Sequence, residues 1–325
     1  MGTQKKPESK SRDALDLNRY KIAVVIPCYN EQVAIGKVID DFYGQLPSAT
    51  IYVFDNCSTD ATAEIAADHR AVVIKEPRKG KGFVVESMFD RVDADFFVMV
   101  DGDDTYPADY VKKLLEPVVK GDADACVGAR LSSYTDKSFR PLHVFGNNLV
   151  CRLVNWVGGA SLTDIMSCYR AFNRRVVESI PVVSCGFEVE TEMTIQMLYY
   201  RMKIVEVDVP YRDRPAGSES KLRTFRDGFR VLWKVFSLFR AFKPLTFFGS
   251  AGLFFGALGL IAGILPVHDY ITDPNHYVSH IPLAILATGL VLLAAVCIFL
   301  GILLHALNWR FIELHNVLTR KHINK

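Results

Sequence analysis

Two stretches near the carboxyl end narrow what this chain can fold into more than any other feature. Leu245 to Pro266 runs 22 residues without a charge, and Ile281 to Trp309 runs 29 more. Each exceeds the roughly 20 residues that a helix needs to cross a bilayer core, although two buried core helices of a soluble protein would share this composition. Gly249, Gly252, Gly256, Gly259 and Gly263 recur three or four apart in the first stretch, a small-residue stripe that lets helices approach closely and would permit homo-oligomers. The connecting loop, Val267 to His280, contains no Lys or Arg, whereas Arg240, Lys243 and Arg310 flank the outer ends. By the positive-inside rule the part before the spans and the tail after them are both cytoplasmic. The expectation is an integral membrane protein with spans at about 245–266 and 281–307 and a tail over 310–325.

Ahead of the spans lies Lys221 to Lys243, with seven basic residues and one acid. Leu222, Phe225, Phe229, Leu232, Trp233, Phe236, Phe239 and Phe242 recur at three- and four-residue steps, so one face is apolar and the other cationic. That pattern suits a juxtamembrane helix over 221–243 lying on an anionic leaflet. A core helix would be the plainer explanation. The whole chain balances 38 basic against 36 acidic residues, which gives no electrostatic footprint for nucleic acid. Seven scattered cysteines with no C-x-x-C spacing point to thiols in a reducing compartment rather than a disulfide frame. Residues 1–20 are polar and basic with no apolar core segment, so they read as a disordered cytosolic start and not as a signal peptide.

Residues 22 to 127 alternate strand-like and helix-like patterns, which predicts an α/β domain over 21–220 with a mostly parallel sheet and crossover helices. The chemistry-bearing residues fall just after the predicted strands. Pro27-Cys28-Tyr29-Asn30-Glu31 follows the first; it lacks G-x-G-x-x-G, which excludes a dinucleotide fingerprint. Asp55 ends the second and could accept hydrogen bonds from a base or ribose, while Ser58 or Asp60 could cap the next helix. Arg78-Lys79-Gly80-Lys81-Gly82 is a basic, glycine-rich lead into a helix that could approach a phosphate or stay a solvated loop. Asp101-Gly102-Asp103-Asp104 follows the run Asp95–Val100. Carboxylates this close repel one another unless a cation is present. A divalent ion removes that cost, and hard oxygen ligands suit magnesium or manganese. A solvated turn capping the next helix would use the same residues.

The ordered set VVIPCYNE, DNCSTD, KGKG and DGDD followed by Pro107 resembles the GT-A domain, a Rossmann-like nucleotide-sugar fold, of family 2 glycosyltransferases. Asp164–Phe172, Gly186–Glu192 and Tyr211–Leu222 resemble a narrower branch, the polyprenyl-phosphate glycosyltransferases: dolichol-phosphate mannose synthases and bacterial undecaprenyl-phosphate glucosyltransferases. The likeness covers about residues 20 to 240, and the hairpin extends it. It implies that Pro27, Tyr29, Glu31, Asp55 and Lys81 bind the donor, and that Asp101 and Asp103 hold Mg2+ or Mn2+ on its diphosphate. It further implies that Arg130, Arg140, Arg214, Ser220 and Lys221 surround the donor and lipid phosphates. A bacterial inner membrane would be the location. Two departures stand out: Thr105 replaces a Gln often found as a third metal ligand, and Cys168 replaces a usual Gly.

Physical chemistry supports the same assignment. Transfer between a nucleotide diphosphate and a lipid phosphate joins two anions, and arginine forks suit their oxygens. A lipid phosphate is already ionised, so positioning and electrostatic stabilisation dominate, with Asp103 and Arg214 catalytic and the anomeric carbon inverted. Asp164 is an acceptor-side carboxylate or else the orienter of a neighbouring arginine. Of Glu190 and Glu192, only one is expected to face the site. The expected reaction moves one hexose, with UDP-glucose favoured over GDP-mannose, to undecaprenyl phosphate. A processive polysaccharide synthase would carry Q-x-x-R-W and more spans, and a non-catalytic membrane adaptor would lose the D-x-D or the arginines.

Overall fold

The computed structural model describes residues 16–130, 150–152, 154–156, 159–217, 224–275 and 277–323. The chain divides into two compact units. The first takes the described residues of Met1–Phe139, Ser167–Gly186 and Met202–Lys221, and the second those of Arg140–Met166, Phe187–Arg201 and Leu222–Lys325.

A seven-stranded sheet fills the first unit. Its strands are β1 (Ile22–Cys28), β2 (Thr50–Asp55), β3 (Val72–Lys75), β4 (Phe96–Met99), β5 (Ala125–Ala129), β6 (Arg170–Asn173) and β7 (Ile204–Asp208), in the order β3-β2-β1-β4-β6-β5-β7. β3, β2, β1 and β4 run parallel; the apolar runs of β2, β1 and β4 are buried because helices cover both faces, whereas β3 at the edge is partly exposed. Between the parallel strands run α1 (Ile35–Gln45), α2 (Thr62–Asp68), α3 (Lys81–Arg91) and α4 (Val111–Val119). α1 buries Ile35, Val38, Ile39 and Phe42, one stripe at helical spacing. β6 enters antiparallel to both β4 and β5. The sequence pattern did not show this strand: it is four residues long and opens on Arg170, which is fully buried and donates from Nε to the Ser167 carbonyl at 2.7 Å. After β6 comes α5 (Arg174–Ser179), capped by the Asn173 side chain. Residues 17–19 form a 3-10 turn capped by Asp16, and Tyr20 packs edge-on against Phe96 at 5.1 Å, so the predicted disorder does not extend to them.

In the second unit, α6 (Val189–Tyr199) is buried at every position from Val189 to Met197. Glu190 and Glu192 are both buried. α7 (Thr224–Phe242) packs its aliphatic Val231, Val235 and Leu238 inward, while Phe229, Leu232, Trp233 and Phe236 lie exposed. The apolar face read from the sequence left out this aliphatic stripe; of its own aromatic residues, Phe239 packs against Trp156 at 5.3 Å and Phe242 stacks on Tyr199 at 4.1 Å. Lys234 sits on the inward side and reaches Glu192 at 2.9 Å.

α8 (Pro244–Thr272) and α9 (Ile281–Ile323) are both long and apolar enough to cross a membrane. They pack antiparallel through the glycine stripe. A Cβ added at Gly252 would lie 3.0 Å from the Ala294 carbonyl oxygen, and one at Gly259 would lie 3.1 Å from that of Ala287. Gly256 and Gly263 face the Ala294 and Ala287 methyls at ordinary contact distance. Much of the stripe is therefore used within the chain. α9 continues without a break through the residues expected to form a tail, ending at Ile323.

Candidate functional site

In the first unit, β2 and β3 step away from β1 on one side and β4 lies on its other side. The turns after β1 and β4 therefore diverge, which opens a crevice at the carboxyl edge of the sheet, where open α/β sheets take their ligands. All three acidic motifs of the sequence meet this edge. Each holds one non-glycine residue in the left-handed region: Asn30 (φ 55°), Cys57 (φ 64°) and Asp104 (φ 58°). Such residues cost on the order of 1 kcal/mol each and persist where the surroundings over-determine them. Here the Ser58 hydroxyl accepts from Asn30 N at 3.0 Å, Asn30 Oδ1 accepts from Thr59 N at 2.8 Å, and Lys37 holds Asp104 at 2.9 Å. Asp55 accepts from Ser58 N at 3.2 Å. The N-cap of α2 is Ala61 rather than Ser58 or Asp60; one residue earlier, the Asp60 carboxylate accepts from Thr62 N at 3.1 Å and from Gln32 N at 3.2 Å. Gly102 is a spatial necessity, because a Cβ there would lie 2.6 Å from Cys28 Sγ at the end of β1.

The first two carboxylates of the acidic turn each meet a cation. Lys81 Nζ donates to Asp101 Oδ1 at 2.6 Å. Arg214 Nη2 lies 2.5 Å from Asp103 Oδ2, while its Nη1 donates to Glu31 Oε1 at 3.4 Å. Burial alone would raise Asp101, but the Lys81 charge and hydrogen bond, a hydrogen bond from Cys168, and Arg214 outweigh it and hold the carboxyl below its ordinary value. Burial and the Asp101 charge push Asp103 the other way, against the pull of Arg214 and Thr105. The Cys28 thiol rises well above its usual range, first by burial and then by the charges of Glu31, Asp101, Asp55 and Asp103. That one thiol feels all four carboxylates marks where they converge.

The basic loop is fixed from both ends. Asn56 Oδ1 accepts from Gly80 N at 2.7 Å, and its amide donates to the carbonyls of Glu76 and Arg78 at 3.1 and 2.8 Å. On the other side a Cβ at Gly80 would lie 2.1 Å from the Cys185 oxygen, and one at Gly82 only 1.7 Å from that of Ser184. Lys81 is thus the first residue of α3, between two glycines pressed on backbone, with its side chain aimed at the acidic turn. Lys79 donates to Tyr29 OH at 2.8 Å and lies 4.3 Å over its ring.

Glu31, Asp55, Lys81, Asp101, Asp103 and Arg214, with Pro27 and Tyr29 at the end of β1, therefore gather at one edge of one unit. Arg130 follows β5, its guanidinium 5.5 Å from the Tyr211 ring. Asp164 belongs to the second unit; it is fully buried, and its Oδ1 accepts from Met166 N at 3.3 Å. Arg140, Ser220 and Lys221 lie outside the described residues. Sequence reasoning missed two positioning side chains. Asn56 ties the basic loop to the end of β2. Thr105, noted only as a missing Gln, donates its hydroxyl to Asp103 Oδ1 at 2.6 Å and orients that carboxylate instead of adding a ligand. An amide directly after a strand-end Asp, and a hydroxyl two residues after the last D of D-x-D, were the available signals.

A divalent metal is the group that such a turn implies. Asp101 and Asp103 supply hard carboxylate oxygens, and their mutual repulsion is what a cation relieves. Among the described residues, no group of three or more His, Cys, Asp or Glu side chains could hold a metal by itself. The pair fits an ion that keeps water ligands and takes its remaining oxygens from a phosphate, as magnesium does.

Comparison with known proteins agrees with this geometry. Residues 23–180 match the model of the family described as glycosyl transferase family 2. The chain is 31% identical over 283 residues to glycosyltransferase AglJ of Haloferax volcanii, covering 87% of this chain and 92% of that one. It is 32% identical over 207 residues to a dolichyl-phosphate hexose transferase of the same organism, covering 64% of this chain and 89% of the relative. Among solved structures, glucosyl-3-phosphoglycerate synthase from Mycobacterium tuberculosis in complex with Mn2+ and UDP-glucose superposes with a TM-score of 0.52. It covers 66% of this chain and 79% of that one at 22% identity, a likeness of fold alone.

Proposed function

The chain belongs to glycosyl transferase family 2, and from that premise we propose that it transfers one hexose from a nucleotide sugar to a polyprenyl phosphate at a membrane surface. The observation that carries this reading is the acidic turn at the sheet edge, where Asp101 and Asp103 each face a cation of the chain. That is a place built to hold a diphosphate and its counter-ion. Asp101 and Asp103 would hold Mg2+ or Mn2+, which supplies Lewis-acid stabilisation of the departing diphosphate. Thr105 keeps the Asp103 carboxylate in one orientation. Asp55 and Glu31, together with Pro27 and Tyr29, line the donor side. Lys81 and Arg214 meet phosphate oxygens, and Arg130, Arg140, Ser220 and Lys221 serve the lipid phosphate. Asp164 is an acceptor-side carboxylate. The attacking lipid phosphate is ionised at neutral pH, so the chain needs to align it and to screen two anions, and the product forms with inversion.

The second unit supports the lipid acceptor. The exposed aromatic stripe of α7, Phe229, Trp233 and Phe236, continues directly into the apolar helix α8. Aromatic side chains favour the headgroup level, so α7 lies in the interface and α8 and α9 cross it, with both outer ends cytoplasmic. On this reading the catalytic part spans 21–220, the juxtamembrane part 221–243, the hairpin 244–309 and the tail 310–325. UDP-glucose is the donor we favour, on the likeness of residues 214–222 to the bacterial glucosyltransferase branch.

The test incubates detergent-purified protein with undecaprenyl phosphate, magnesium and radiolabelled UDP-glucose or GDP-mannose, beside Asp103→Ala. Label entering the organic phase from UDP-glucose, and absent in the variant, is the expected result. Label from GDP-mannose alone would transfer the assignment to a mannosyl donor. No lipid-linked label from either, with no nucleotide binding, would leave a membrane adaptor.

A further inference from the structure

The two carboxylates that read as metal ligands are each already matched by a basic side chain of this chain. Lys81 is 2.6 Å from Asp101 with its own side chain only 10% exposed, and Arg214 is 2.5 Å from Asp103, which is 3% exposed. The backbone beneath Lys81 is clamped by Gly80 and Gly82 against the Cys185 and Ser184 carbonyls, but its four-carbon stem remains flexible. Arg214 spans Asp103 and Glu31 with two arms of its fork.

Formal charges decide what can bind here. Glu31, Asp101 and Asp103 carry three negative charges, and Lys81 and Arg214 carry two positive ones. A divalent ion arriving alone finds carboxylates whose charge is mostly answered and must compete with a lysine and an arginine for them. A diphosphate arriving alone finds the basic groups occupied and carboxylates beside them. When both arrive, Lys81 and Arg214 turn to the phosphate oxygens while the ion takes their place beside Asp101 and Asp103.

We propose that Lys81 and Arg214 are stand-in cations: they hold Asp101 and Asp103 in the metal-free protein and release them only when a nucleoside diphosphate takes both basic side chains. The proposal rests on the reading of Asp101 and Asp103 as metal ligands beside a donor diphosphate. Its consequence is that metal and nucleotide bind with positive coupling, reciprocal by thermodynamic necessity. The coupling resides in these two side chains.

The experiment titrates Mn2+ into the full-length protein in detergent, read by the free-ion paramagnetic resonance signal, without nucleotide and with UDP or GDP. We expect one of these nucleotides to tighten Mn2+ by about tenfold or more, within the usual range of such couplings. Lys81→Met and Arg214→Met should each bind Mn2+ alone severalfold tighter than the parent and bind nucleotide more weakly, and the coupling should fall toward one. Lys81→Arg, which keeps the charge, should retain it. In thermal melts, Mn2+ alone should raise the Tm of Lys81→Met more than that of the parent. Equal Mn2+ affinity with and without nucleotide in the parent overturns the proposal, as does an unchanged or weakened Mn2+ affinity in both Met variants. If the parent binds no Mn2+ with either nucleotide, the metal-ligand reading itself fails, an outcome distinct from intact coupling that survives the substitutions.

Discussion

Two lysines meet carboxylates in different regions of the molecule, at similar distances and with different surroundings. Lys81 reaches Asp101 at 2.6 Å at the edge of the sheet, and Lys234 reaches Glu192 at 2.9 Å on the seam between α6 and α7. Asp101 remains 29% exposed and has Asp103, Glu31 and Arg214 around it, so both partners of the pair have somewhere else to go. Glu192 is 1% exposed and takes its second hydrogen bond from Gln196 at 3.1 Å. The same two charged groups therefore make an exchangeable contact in one place and a fixed one in the other. What separates them is the exposure of the carboxylate, not distance.

Substitution of the lysines breaks the comparison most directly. Lys234→Met leaves Glu192 buried without its cation and should cost about 3 kcal/mol of stability, the usual penalty for half a buried pair. Adding Glu192→Gln should recover most of it, which chemical denaturation of the two variants would show. Lys81→Met should behave oppositely. We expect a stability change of about 1 kcal/mol or less, because Asp101 keeps some water, but a loss of transfer activity of about 100-fold, near 2.7 kcal/mol in the barrier. If Lys81→Met destabilised as much as Lys234→Met, the two pairs would be the same kind of contact.

A smaller effect is expected where α8 meets α9. Gly259→Ala would bring its Cβ within 2.9 Å of Val291 and 3.1 Å of the Ala287 oxygen, while Gly256→Ala meets the Ala294 methyl at 3.6 Å. The first should lose about 1 kcal/mol by overpacking. The second should be neutral or gain a few tenths of a kcal/mol from helix propensity. Thermal melts in one detergent would order them.

Glu76 and Arg78 supply an intermediate case and the mildest prediction. Glu76 is 1% exposed but its partner Arg78 is 47% exposed. Hydrogen bonds from the Arg78 side chain hold the Glu76 carboxyl at about 2, below its ordinary 4.5, despite burial. A depressed carboxyl contributes stability that is present above 4.5 and lost as pH falls toward 2. Melting curves between pH 5 and 2.5 should therefore fall more steeply for the parent than for Glu76→Gln. Parallel curves would mean that Arg78 contributes nothing to the carboxylate.

The same contrast explains what the sequence made legible. Asp55, Asp101 and Asp103 were readable because a carboxylate just after an apolar strand has few bland explanations, and the hairpin was readable from composition alone. Lys81 was visible as a basic loop residue, but its pairing with Asp101 depends on the Gly82–Ser184 contact, which joins residues far apart in the chain. Asn56 and Thr105 stayed hidden because short polar side chains near turns are so often caps. β6 was missed because Arg170, charged yet fully buried, broke the apolar signature of a core strand. The inward aliphatic stripe of α7, Val231, Val235 and Leu238, was missed because the more conspicuous aromatic residues dominated the apolar pattern.

The division of the chain into two units has a consequence in time. The second unit draws on residues from Arg140–Met166 and Phe187–Arg201 as well as on everything after Leu222, so the chain passes between units at five points. During synthesis at about 5 to 20 residues per second, α6 waits some 5 to 20 s after the first unit's last segment before all of α7, α8 and α9 has been made. Lys234 itself lies 13 residues past 221 and is made within about 0.7 to 3 s; until then the side of α6 that carries Glu192 lacks it. A truncation ending near residue 221 would make that wait permanent. A ribosome paused there would hold a nascent chain in which the sheet is complete and a buried glutamate is still uncovered, a natural point for a holding chaperone or for the insertion machinery of the membrane.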